Sequence, residues 1–128
     1  MADTEKITIN ISVVDLGRID LLVEQGFYST RTDFIRTAIR NHLGTHISTI
    51  EETVTRKSYV VGALIYNHTD LEKYLEKNEQ VDIRVVGMLY ITNEVTPELA
   101  KATIKSIKVL GVFRAREEVK EVLTDRIL

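Results

Sequence analysis

Between Lys6 and Ser12 every second residue carries a hydrogen-bonding side chain: Lys6, Thr8, Asn10 and Ser12. Lysine brings donors, threonine a hydroxyl that donates and accepts, and asparagine a donor beside an acceptor. Such a set suits recognition of polar edges on another molecule more than bond-breaking. The rest of the chain offers no catalytic constellation, for it has neither a glycine-rich phosphate loop nor a nucleophile elbow. With no cysteine at all, disulfides, thiol nucleophiles and zinc-finger ligation are excluded. His42 and His46 stand four apart, a spacing that would put both on one helical face as a metal pair. Gly44 between them is expected to end the helix, no third ligand is evident, and both are read as surface residues. No catalytic residue, metal or cofactor is expected.

The intervening Ile7, Ile9 and Ile11 make the same stretch alternate strictly between apolar and polar, the mark of a half-buried strand. Ser12-Val13-Val14-Asp15 has the form of a capping box, after which Leu16, Ile19, Leu22 and Val23 recur at helical spacing until Gln25-Gly26. A second box, Thr30-Arg31-Thr32-Asp33, opens another helix with Phe34, Ile35, Ala38, Ile39 and Leu43 on one face and Gly44 placed to stop it. The order is strand, helix, helix. A lone strand would leave its N–H and C=O groups as an open edge, and the economical partner is the same strand of a second copy. Antiparallel pairing about a two-fold axis then buries the isoleucines and presents Lys6, Thr8 and Asn10 in duplicate.

The segment from Glu5 to Leu43, about a third of the chain, resembles the ribbon-helix-helix repressors of the CopG, Arc, MetJ and NikR kind. The alternating strand, the first helix, the polar turn Tyr28-Ser29-Thr30-Arg31 and the Phe-Ile-Arg of the second helix fall in that family's order and spacing. The resemblance implies that Lys6, Thr8 and Asn10 touch base edges of double-stranded DNA, with the ribbon in the major groove. The side chains are suited to base reading, since lysine donates to guanine, asparagine pairs with adenine, and threonine bonds or offers its methyl to thymine. The resemblance also implies that Ser29, Thr30, Arg31 and Thr32 receive a DNA phosphate, where free amides and the positive dipole end meet the charge of Arg31. Net charge does not help, since the whole chain carries −2 and residues 1–47 have five Lys or Arg against six Asp or Glu.

Beyond a bridging segment in which Ser48-Thr49-Ile50-Glu51 has capping-box form and Ile47, Ile50 and Val54 would line a short helix, the chain repeats itself. Ile83-Arg84-Val85-Val86-Gly87-Met88 recurs 24 residues on as Ile107-Lys108-Val109-Leu110-Gly111-Val112, and Val95 and Leu99 recur as Val119 and Leu123. A weaker first copy, Val60-Val61-Gly62-Ala63 with Leu71 and Leu75, has one extra residue. Each copy reads as a strand interrupted by glycine and then a helix, opened by Thr69-Asp70-Leu71-Glu72 in the first and Thr96-Pro97-Glu98 in the second. The expected fold class is α+β: a ribbon-helix-helix domain over 1–47, a linker or short helix over 48–57, and a small solenoid-like β/α repeat over 58–128.

The functional expectation is a non-enzymatic transcriptional regulator that binds operator DNA as a homodimer through the ribbon, with a higher oligomer through the repeat. An antitoxin-type regulator and an assembly module that binds no DNA are the alternatives. The N-terminus lacks a basic signal segment and no apolar run reaches the ~20 residues needed to cross a bilayer, so a cytoplasmic protein without membrane contact is expected.

Overall fold

The computed structural model describes residues 4–128, and the chain divides after Thr53 into two compact units. The first holds α1 (Val13–Glu24) and α2 (Arg31–Thr45). Ser12 caps α1 by accepting from the Asp15 amide at 3.1 Å, and Gln25 and Gly26, the latter at φ 85°, end it. Gly44 does not stop α2, which runs through it to Thr45. After the single residue His46, α3 (Ile47–Arg56) begins, so Ser48 lies inside a helix and caps nothing. Glycine weakens a helix interior by only about 1 kcal/mol, and it ends one only where the chain turns left-handed.

Burial in this first unit is sparse. Ile19 is its one buried apolar side chain among the described residues, whereas Ile7 is 75% and Ile9 66% exposed. Ile11, Ile35, Ile39 and Leu43 are also solvent-exposed. Residues 4–12 belong to no helix and to no strand within the chain. The strand expected over 6–12 is therefore not formed here, since among the described residues no other strand supplies the ladder bonds it would need.

The second unit contains β1 (Val60–Tyr66), α4 (His68–Glu76), β2 (Val81–Ile91), α5 (Pro97–Thr103), β3 (Ile104–Arg114), α6 (Glu117–Val122) and a short 3-10 turn, Thr124–Arg126. Its three strands are parallel and lie in chain order, β1-β2-β3. Val85 sits beside Val109, 24 residues on, and beside Val60, 25 residues back, which matches the period and the extra residue of the first copy. Two crossovers in sequential order carry α4 and α5, and α4 packs on α5 and α5 on α6. The core between them comprises Ile83, Val85, Leu89, Ile91, Ile104 and Ile107 from the strands and Leu71, Leu99, Ala100, Val119 and Leu123 from the helices and the turn after them.

The helix starts follow capping chemistry. Thr96 caps α5 with Pro97 at its first position, as the sequence indicates. The start of α4 differs: Asn67 is the cap, joined to Asp70 in a reciprocal pair with bonds of 2.8 and 3.0 Å, so the helix begins before Thr69. Asp70 serves as the third helical residue of the box and selects the asparagine three positions upstream.

Gly62, Gly87 and Gly111 lie in one register line across the sheet at φ 131°, 137° and 128°. A Cβ on Gly87 would overlap the carbonyl oxygen of Gly62, and one on Gly111 that of Gly87. Here the repeat requires glycine for close backbone approach. The two ends of the sheet are unlike. On the β3 side, Ile127 bridges Ile107 and the Leu128 amide donates to the Ile107 carbonyl at 2.8 Å. Arg126 donates to the carbonyls of Ile104 and Lys101, which ties the turn to the end of α5. Among the described residues, no strand pairs with the outer edge of β1.

Candidate nucleic-acid interface

Lys6, Thr8 and Asn10 are all exposed on the segment leading to α1 and alternate with the exposed isoleucines. Among the described residues no strand holds them in a ladder, so their mutual geometry depends on whatever pairs with that segment.

The turn before α2 is built more tightly. Tyr28 and Phe34 meet edge to face with ring centroids 5.0 Å apart, fixing the turn against the helix. Thr30 is extended, at φ −151° and ψ 169°, and its hydroxyl accepts from the Asp33 amide at 3.0 Å. Asp33 in turn accepts from the amide and the hydroxyl of Ser29 at 3.0 and 3.2 Å. Its carboxylate thus reaches past the cap residue to the one before it. The amides of Arg31 and Thr32 occupy the first two helical positions and have no acceptor within the helix. These are the donors an anion can use.

Arg31 is engaged elsewhere in the free chain. Its Nε and Nη2 donate to the two carboxylate oxygens of Asp20 on α1 at 2.7 and 2.8 Å, a bidentate pair with both side chains about half exposed. These bonds hold the Asp20 carboxyl below its usual range and raise Arg31 above its own. Sequence reading missed Asp20, because the two residues are eleven apart and joined only by the folding back of α2 on α1. Ser29, Thr30, Arg31 and Thr32 are brought together at one helix end, while Lys6, Thr8 and Asn10 lie on the preceding segment.

His42 and His46 do come together, with ring centroids 5.2 Å apart, because α2 continues through Gly44. Among the described residues no group of three His, Asp or Glu side chains is placed to hold a metal ion, and no helix is long and apolar enough to cross a membrane.

A family model described as Ribbon-Helix-Helix transcriptional regulator matches residues 2–120. The chain belongs to this family. The ribbon-helix-helix match extends well past α2 and takes in all three parallel strands, so the family pattern includes the second unit as well as the first. It places the protein among transcriptional regulators that bind DNA. No curated protein and no solved structure gives a significant match to the chain.

Proposed function

We propose that the protein is a sequence-specific regulator that binds operator DNA as a homodimer, its paired N-terminal segments forming a ribbon in the major groove. The observation that carries this reading is the exposure of Ile7, Ile9 and Ile11 on a segment without a ladder partner, next to two helices whose apolar residues are also exposed. Fully burying an isoleucine is worth roughly 1.5–3 kcal/mol, so a second copy that covers these faces gains both apolar burial and the missing backbone bonds. The same pairing turns Lys6, Thr8 and Asn10 outward from both copies as the base-reading set.

On this reading the phosphate contact is made by the Arg31 and Thr32 amides, Ser29, Thr30 and the Arg31 guanidinium, at the positive end of α2. The domain limits follow as 1–47 for DNA binding and dimerisation, 48–57 as the connecting helix, and 58–128 as the solenoid-like repeat, which joins dimers into a higher oligomer. The protein acts in the cytoplasm, where its DNA is.

The test is a variant with Lys6, Thr8 and Asn10 all replaced by alanine. Selection of bound fragments from genomic DNA by the purified protein supplies the operator. The variant should keep its fold and dimer while specific affinity falls by several kcal/mol, each lost base contact being worth ~1–3. Unchanged operator affinity would reject the reading face. Failure of the wild type to select any fragment would leave an assembly module.

A further inference from the structure

We propose that the open end of the C-terminal sheet, formed by β1 and α4, is an interface with the same surface of a second copy of this chain, related to it by a two-fold axis. This surface is distinct from the ribbon and rests on the second unit alone. Three observations converge on it.

First, the ends of the stack differ. The chain's own Ile127 and Leu128 occupy the β3 edge at Ile107, so part of the edge that head-to-tail addition of a further copy would use is already taken. The β1 edge keeps Val60, Val61 and Ile65 at 47%, 64% and 56% exposure. Its sequence, Val60-Val61-Gly62-Ala63-Leu64-Ile65-Tyr66, has no charge and no proline, two of the devices that usually protect an edge from pairing. A self-complementary, isologous contact is the arrangement that closes without forming a filament.

Second, Gly62 shares the unusual backbone of Gly87 and Gly111 but lacks their reason for it. At those two positions the space a Cβ would fill is taken by the preceding strand's carbonyl. At Gly62 nothing lies within 4 Å of that place. The edge therefore keeps room for the close approach of a further main chain.

Third, the charges on α4 complement themselves. A cleft of about 510 Å³ opens at this end between Leu64–Tyr66 and Asp70, Lys73 and Tyr74 of α4, with the C-cap residue Lys77 and Glu79 beyond it. Asp70 and Lys77 lie equally far on either side of the Lys73–Tyr74 midpoint. A two-fold axis at that midpoint sets the helices antiparallel and puts Asp70 against Lys77 of the partner subunit, twice, with Lys73 beside Tyr74 of the partner subunit at the centre. A helix rises ~1.5 Å per residue and a strand ~3.3 Å, so this midpoint lies near the level of Leu64 and Ile65, and the same axis pairs the two β1 strands antiparallel. The two three-stranded sheets then join as one.

The experiment measures the mass of the full-length protein in solution at tens of micromolar. The wild type should contain four chains, and Lys73→Glu/Lys77→Glu, which sets acid against Asp70, should contain two. Ile9→Asp, which breaks the ribbon, should also contain two. In an Ile9→Asp background, Ala63→Cys should be bridged between chains by a short bis-maleimide, since the chain has no other cysteine. Leu110→Cys on the far strand should not. A wild type of two chains that Lys73→Glu/Lys77→Glu leaves intact, or bridging at Ala63 no faster than at Leu110, would overturn the proposal. Failure of the ribbon reading looks different: Ile9→Asp would then leave the mass unchanged while the charge reversal still lowered it.

Discussion

Any anion reaching the start of α2 must compete with the Asp20 carboxylate for Arg31, because both carboxylate oxygens already accept from its guanidinium. On the proposed reading, Arg31→Ala weakens specific and random DNA about equally and makes the salt dependence shallower by about 1 per contact removed, with two such contacts per dimer. Titrating binding against salt on both DNAs checks this, and a changed base preference would instead make Arg31 a reader. Asp20→Asn should act oppositely on affinity, strengthening binding to either DNA by releasing the guanidinium. A loss of affinity would mean that Asp20 serves to aim Arg31. The lowered Asp20 pKa also sets a sign for acid stability. Its pairing favours the folded state above the ordinary carboxylate pKa of about 3.9 and ceases to do so as pH falls through the lowered value. Thermal melts below pH 4 should therefore decline less steeply for Asp20→Asn than for the wild type.

Among the elements, the N-terminal segment and the glycine line depend on neighbours in opposite ways. Among the described residues no strand pairs with the segment, so on the proposed reading Ile9→Asp would place a charge between two copies where nothing pairs with it, a cost of several kcal/mol. Sedimentation should show that the ribbon no longer holds two copies together, while circular dichroism still reports the parallel unit. The glycine line has neighbours too close for any side chain. Gly87→Ala and Gly111→Ala combine overlap with a backbone carbonyl and a φ that favours glycine, costs of about 1–3 kcal/mol each, so either should destabilise the second unit by about 2–6 kcal/mol in denaturant unfolding. A change below about 1 kcal/mol would mean that the strands can part there without loss.

For the molecule as a whole, the two proposed self-associating surfaces would offset a net charge of −2, which gives little general attraction to phosphate. Dimers joined through β1 would meet a second operator site at high effective concentration, a gain on the order of 10²–10⁴ without new base contacts. Binding curves on DNA with one site and with two adjacent sites separate the effects. Lys73→Glu/Lys77→Glu should leave one-site affinity near the wild type and lose most of the two-site gain. An equal loss on both DNAs would make those lysines part of the DNA contact.

Local chemistry was enough to read much of this protein from its sequence. The caps at Ser12, Thr30 and Thr96 and the recurrence near 24 residues are short-range patterns, and the observed helix starts and the parallel register agree with them, whereas the alternation at Lys6–Ser12 forms no strand within the described residues. Where two local signals compete, sequence alone chose wrongly. Asn67 and Thr69 are both capping types and Asp70 selects the former, while Gly44 is a stop signal that α2 passes through. Contacts between residues distant in sequence left no pattern to read. The Asp20–Arg31 pair exists because α2 folds back on α1, and the capped and open ends of the sheet differ because Ile127 returns to Ile107. Periodicity records which face of an element is apolar, but only the tertiary structure decides which faces and edges remain uncovered, since that depends on where the rest of the chain goes.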